Sequence, residues 1–375
     1  MPSFKKNILI VTAYPVNNLT AGQGNVNILT DDLIAKGYDI SLVCFSYPHH
    51  TIERKERFKE ILFINQKRPQ RFLYMLLLGF FFPLYTARFS FRALKFITDR
   101  VSSSNLIFLD YSQVYIYSLF IKQKEKICMF MHDVIYQKYH REWQHIWYGI
   151  PFLNYVKFTE KFMFNHCKKI SIASFKDLDI VRKEYNVNAI PAILKKRFTI
   201  AASLNIPVNL SHFVFLGAWN RKENLDGLKW FFNEVYPLLN NTFSCTVLGH
   251  GMPEDVKVKL PSSVNLPGFV DDMRVYLQGA SALISPLFSG AGIKFKVLDA
   301  IANGCRVIGT DVSYEGIDVS AKNLLLIANN AKEFAKNVDY CIANAYNPDE
   351  IKNVLGQYIN RFIDTTEWIE NCMVD

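Results

Sequence analysis

"ASALISPLFSGAGIKFKVLDAIANGCRVIGTD", residues 280–311, decides the fold class. The runs "ASALISPL" and "CRVIGTD" are short, continuous and apolar, as strands buried on both faces should be. Between them Phe295, Val297, Leu298, Ala300 and Ile301 follow a helical pattern behind a glycine turn at Gly290 and Gly292. The segment therefore reads as strand, turn, helix, strand. Lys294 and Lys296 stand in the opening turn of that helix. A helix N-terminus offers unpaired N–H groups and partial positive charge, so two cations there oppose the dipole unless an anion is present. The pattern predicts a phosphate site made by the two lysines and the amides of Gly290, Ala291, Gly292 and Ile293.

The same alternation extends in both directions. "NILIVTAYP", "YDISLVCFS", "SNLIFLDYS", "KICMFMHDV" and "KKISIAS" read as strands separated by helix-length segments. After a connecting stretch the series restarts with "HFVFLGAW", "FSCTVLGHG", "VNLPGFV" and "NLLLIA". An α/β class with two Rossmann-like domains follows, with a cleft at the strand ends. The expected domains are residues 1–192 and 193–346, with a helical segment at 347–375 as a candidate to pack back on the first domain.

The 375 residues are 50% apolar and 21% charged, which excludes a disordered chain. The net charge is +9, and residues 51–100 hold eleven Lys/Arg against four Asp/Glu. Those residues include "RPQRFLYMLLLGFFFPLYTARFSFRALKF", whose run from Phe72 to Pro83 is too short to span a bilayer of about 20 residues. Basic residues beside an aromatic, leucine-rich surface suit peripheral contact with an anionic membrane; the competing reading is a core helix with solvated charges at its ends. No CxxC pair occurs among the seven cysteines, which fits a reducing compartment and no structural metal. The apolar stretch of Ile8 to Ala13 is short for a signal peptide, so a cytoplasmic protein is expected. No nucleic-acid partner is expected.

Gly22 and Gly24 form G-x-G, but Asn27 stands where a dinucleotide fingerprint needs a third glycine, and no Walker A sequence occurs. These glycines read as a flexible loop allowing close approach of a ligand.

The segments "FVFLGAWNRKENLDGLKWFFNEVYPLL", "CTVLGHG", the run from "VNLPGFV" to "CRVIGTD", and "YEGI" together resemble the donor-binding domain of GT-B glycosyltransferases, most of all the retaining GT4 branch (glycosyl transferases group 1). The resemblance implies a nucleotide-sugar co-substrate, a UDP-sugar being favoured, with no cofactor and no metal. It gives Lys294 and Lys296 to the diphosphate and Asp299 to the ribose hydroxyls, against the alternative of an i,i+3 ion pair between Lys296 and Asp299. It assigns Gly217, Gly249 and Gly251 to turns beside the nucleotide and Phe269 and Val270 to the base. Arg221 and Lys222 are either cations of the donor site or a solvated loop. His132, at a strand end, corresponds to a residue that touches the donor sugar, and Asp133 reads as a helix N-cap. Arg141 and Trp143, within a cluster that includes His140, His145 and Trp147, are either candidates for an acceptor pocket, since aromatic faces suit sugar rings, or plain helix surface.

One position departs from the family. GT4 enzymes carry an acidic pair separated by seven residues, and the first acid would fall on Ala291, with Asp299 in place of the usual Glu. The implied activity is transfer of a hexose-type sugar, with retention, to a glycan or lipid-linked acceptor. Two alternatives stay open: a non-catalytic nucleotide-sugar-binding subunit and a nucleotide-sugar epimerase.

Overall fold

A computed structural model describes residues 6–46, 50–198, 203–239, 242–290, 292–317 and 325–374. The chain forms two compact units, residues 1–197 with 362–375, and residues 198–361. The first begins with strands β1 (Asn7–Thr12), β2 (Asp39–Phe45), β3 (Glu60–Ile64), β4 (Leu106–Asp110), β5 (Ile127–Met131), β6 (Lys169–Ile172) and β7 (Ala189–Ile193). The second holds β8 (Asn209–Leu216), β9 (Ser244–Leu248), β10 (Val264–Gly268), β11 (Ala280–Ser285), β12 (Arg306–Gly309) and β13 (Leu325–Ile327). A short β14 (Ile363–Asp364) completes the first sheet.

The first sheet runs β14-β7-β6-β5-β4-β1-β2-β3 and the second β10-β9-β8-β11-β12-β13, and the described pairings are parallel. Parallel sheets are covered on both faces, which explains the unbroken apolar runs. In β1, Leu9 and Val11 enter one core while Ile8 and Ile10 enter another on the opposite face. Phe213, Phe215, Val247 and Ile284 do the same work on one face of the second sheet.

Three strands were not evident from the sequence. β3 is short and bordered by charge, β7 contains Pro191, and β14 has two residues. Because β7 belongs to the first sheet, the unit boundary falls after Arg197 and not after residue 192. The segment from residue 347 also divides. Helix Pro348–Ile359 stays with the second unit and packs on helix Phe295–Ala302. Only β14 and helix Thr365–Cys372 join the first unit, where Ile363 pairs with Ala192 and Glu370 accepts from Lys36 at 2.9 Å.

Gly22 and Gly24 do not form a loop. They lie in helix Ala21–Ala35, whose N-cap Thr20 accepts a hydrogen bond from the amide of Gln23. A Cβ at Gly22 would stand 1.9 Å from the Tyr111 hydroxyl, so glycine is required there by packing. Cys44, Cys128, Cys167, Cys245, Cys305 and Cys341 are buried thiols. Burial pushes those of Cys44 and Cys305 up to about 12, which makes them inert.

Candidate active site

In a parallel sheet all strands end on one edge, and the loops leaving that edge gather the candidate residues of the second unit. Gly217 follows β8, Gly249 and Gly251 follow β9, Phe269 and Val270 follow β10, and Gly290 through Asp299 follow β11. The glycines of the first loops fit against each other. The amide of Gly249 donates to Gly268 O at 2.8 Å, and that of Gly217 to Leu248 O at 3.1 Å. Gly249 has φ +119°, and a Cβ there would lie 1.8 Å from Gly217 O. The close approach of neighbouring loops is reason enough for glycine at these turns.

The β11 loop is different. Gly290 and Gly292 have φ +121° and +68°, a left-handed backbone that turns the chain into helix Phe295–Ala302. Ala291 lies outside the described residues, and Ile293 is buried. Lys294 is the extended N-cap residue, with Nζ donating to Gly292 O at 2.6 Å and standing 3.7 Å from Glu315 Oε2. Both side chains of that pair are nearly enclosed. Lys296, in the first turn, donates to Asn224 Oδ1 at 2.9 Å. Asn224 belongs to helix Lys222–Trp230, and its Nδ2 donates to Ala218 O at 3.1 Å, which fixes the amide's orientation. Lys296 thus turns to Asn224 and not to Asp299. Burial pushes the Lys296 ammonium down to about 7; Lys294 adds to this and Glu223 opposes it. Two lysines beside a left-handed glycine turn, one of them only about half protonated at neutral pH, form a site that gains from an anion.

Asp299 is half-buried one turn further along the same helix. Phe269 is exposed, as a surface for a planar ring requires. Arg221 and Lys222 keep side-chain exposures of 63% and 88%, with Lys222 bonded to Asp226 at 2.5 Å. Their arrangement is that of a solvated helix start.

At the strand ends of the first unit His132 follows β5, and its Nε2 lies 2.7 Å from Asp110 Oδ1 at the end of β4. Asp133 is not the N-cap of the following helix, Ile135–Trp143, where no side chain of the capping residue bonds the first turn. The carboxylate of Glu160 takes that place, accepting from the amides of Ile135 and Tyr136 at 2.8 and 3.1 Å and from the hydroxyls of Tyr85 and Tyr185. Burial pushes this carboxyl up against the pull of those four donors. Arg141 and Trp143 are both half-buried on that helix. Trp143 lies 4.9 Å from the Phe152 ring, and burial lowers the Arg141 guanidinium's proton affinity while Asp177 opposes the shift.

Asn224, Glu315, Asp110 and Glu160 were not singled out from the sequence. Asn224 stands within "NRKEN" and Glu315 within "YEGI", but only the fold brings them to Lys296 and Lys294.

Residues 211–344 match the family described as Glycosyl transferases group 1. This segment is a glycosyl transferases group 1 domain. The glycosyltransferase domain overlaps most of the second unit and contains every candidate residue of the β11 loop. A protein of Klebsiella pneumoniae, "Uncharacterized 44.6 kDa protein in cps region", is 31% identical over 137 residues, 33% of this chain and 35% of its own length. The match therefore spans about a third of that relative. Over nearly the whole chain the fold is that of GT-B glycosyltransferases. A Rickettsia africae glycosyltransferase has TM-score 0.62 and 14% identity, covering 99% of this chain and 98% of its own. Anabaena HepE in complex with UDP and glucose has TM-score 0.63 and 12% identity, covering 98% of each chain.

Proposed function

We propose that the protein is a retaining GT4-type glycosyltransferase, moving a hexose-type sugar from a UDP-sugar to a glycan or lipid-linked acceptor in cell-surface polysaccharide or glycoconjugate synthesis. The observation that carries this is the enclosed lysine pair behind the left-handed glycine turn. The family of residues 211–344, the UDP and glucose of the HepE structure and the capsule-region relative support it. As the bond between the anomeric carbon and the β-phosphate oxygen breaks, negative charge grows on the diphosphate. Lys294 and Lys296 meet that charge with preorganised cations. The acceptor oxygen bonds to the anomeric carbon on the same face, and its proton passes to the departing phosphate. Asp299 holds the ribose hydroxyls, Phe269 and Val270 the base, and His132 a sugar hydroxyl. The nucleotide sugar is a co-substrate, and the reaction calls for no metal.

Thermal shift with UDP, GDP and ADP, followed by a panel of nucleotide sugars, tests this reading. UDP should raise the melting temperature most, since a ligand of the native state stabilises it, and a UDP-sugar should be slowly hydrolysed without acceptor. Binding without turnover would favour the non-catalytic subunit, interconversion of sugars the epimerase, and no response to any nucleotide would end the nucleotide-sugar reading.

The acceptor side includes, on our reading, an anionic membrane surface at the cytoplasmic face. In helix Arg68–Leu77 no residue is buried, and Phe72, Leu73, Leu76, Leu77 and the following Phe80 are more than half exposed. Exposed Lys67, Arg68, Arg71 and Arg92 border this face. Arg88 is no part of that border: it is 9% exposed and stacks over Tyr14 and Phe45 at 5.5 and 6.0 Å. No helix among the described residues is long and apolar enough to cross a membrane. Flotation with anionic vesicles should show binding that weakens with salt and is lost in Arg68→Glu/Arg71→Glu/Leu76→Ser/Leu77→Ser. Equal recovery on neutral vesicles, or none on either, would count against it.

A further inference from the structure

We propose that Asp110 is the positioning residue of the first unit's site, holding His132 by Nε2 so that Nδ1 is the ring atom offered to a sugar hydroxyl. The neighbouring parallel strands β1, β4 and β5 place Thr12, Asp110 and His132 side by side at one edge, with Thr12 opposite Asp110 and Asp110 opposite Phe130. The Asp110 carboxylate is buried and its two oxygens are divided between two partners. Oδ2 accepts from Thr12 Oγ1 at 3.0 Å, and Oδ1 lies 2.7 Å from His132 Nε2.

An ionised carboxylate only accepts, so Nε2 must carry the proton. The tautomer is thereby fixed, and Nδ1 is left as an acceptor in the neutral ring or as a donor in the imidazolium. The His132 side chain is 13% exposed against 2% for Asp110, so the ring, unlike the carboxylate, is not fully closed off.

The ring is also held against rotation. Tyr111 stacks on its face at 4.3 Å with planes 19° apart, and Phe130 meets it edge-on at 5.0 Å. Tyr111 has φ +72°, a conformation that costs a non-glycine residue on the order of 1 kcal/mol or more and that clusters at functional sites. Tyr14 meets Tyr111 edge-on at 5.0 Å, and the absence of a side chain at Gly22 makes room for its hydroxyl. Gly22, Tyr111 and Asp110 therefore serve one end, an imidazole with a set orientation and a set proton. A merely structural histidine needs no strained stacking partner.

The identity of the hydroxyl rests on the glycosyltransferase reading; the histidine–aspartate pairing does not. The test has a spectroscopic arm and a kinetic arm. In 15N-histidine-labelled wild type, a downfield, slowly exchanging Nε2–H resonance is expected, assigned by its loss in His132→Gln. It should disappear in Asp110→Ala and persist in Asp110→Asn, whose side-chain oxygen still accepts. In turnover, His132→Ala and Asp110→Ala should each lose roughly 10- to 100-fold in kcat/KM, and the double variant no more than either, because Asp110 acts through His132. Loss already present in acceptor-free donor hydrolysis assigns the hydroxyl to the donor; loss confined to transfer assigns it to the acceptor. An Nδ1–H tautomer in wild type, or additive losses in the double variant, overturns the proposal. If wild type turns over no nucleotide sugar, the glycosyltransferase reading falls, and the resonance still decides the pairing.

Discussion

Two pairs of basic residues open helices just past strand ends of the second sheet, and they differ in what surrounds them. Lys294 and Lys296 follow β11, bonded to Gly292 O and Asn224 Oδ1, with Glu315 beside the first. Arg221 and Lys222 follow β8, largely in water, beside acidic residues of their own helix. In sequence the two look alike, each a basic dipeptide-like cluster near a glycine. The fold separates them by desolvation. A solvated surface pair contributes on the order of 0–1 kcal/mol and is screened by salt, whereas an enclosed cation retains its field for a ligand.

The largest effect separating the two pairs should come from Lys296→Ala and Lys294→Ala. Each should lower turnover roughly 30- to 1000-fold, the range for losing a charge-assisted contact in a shielded site, with the fold intact. Wild-type rates in both would remove the distinction. Next come their supports. Asn224→Ala and Glu315→Gln should each cost roughly 10-fold in kcat/KM, since they orient a cation and do not replace it. An effect of either that exceeds that of the lysine it supports would mean a direct contact with the ligand.

Stability should respond in the opposite sense to activity. The ordinary ammonium value near 10.5 falls to about 7 for Lys296, so between these values the unfolded chain holds a proton that the folded chain has lost. Stability at this site therefore rises with pH across that window, and the cost of the buried cation is fully present below it. Lys296→Met should melt above wild type at pH 7 without nucleotide, with the advantage shrinking toward pH 10. A variant less stable than wild type at pH 7 would contradict the burial argument. The smallest effect belongs to the solvated pair: Arg221→Ala/Lys222→Ala should change turnover by less than about 3-fold. A larger loss would bring that loop into the donor site.

The contrast also shows what the sequence could carry. Strands covered on both faces announce themselves as unbroken apolar runs, so β1, β5, β8 and β11 were legible, as was the lysine-bearing helix start between β11 and β12. β7 was hidden because Pro191 reads as a linker, and only its place between β6 and β14 makes it a strand. Gly22 and Gly24 suggested a loop because glycine's local preference is for turns, but the space needed by Tyr111 outweighs that preference. Asn224 and Glu315 carry no signal of their own; their meaning comes from partners 72 and 21 positions away that the fold brings near. Asp110 closes an apolar run as many surface residues do, and its role rests on the alignment of β1, β4 and β5.

If the lysine pair exists for a diphosphate, calorimetric titration of UDP at pH 8 in buffers of different ionisation enthalpy should reveal it. With its value near 7, Lys296 is mostly neutral at that pH, and an arriving diphosphate should recharge it. Wild type should therefore take up roughly one proton on binding UDP, and Lys296→Ala should bind more weakly with that uptake gone. UDP binding without proton uptake, at an affinity that Lys296→Ala leaves unchanged, would contradict the account.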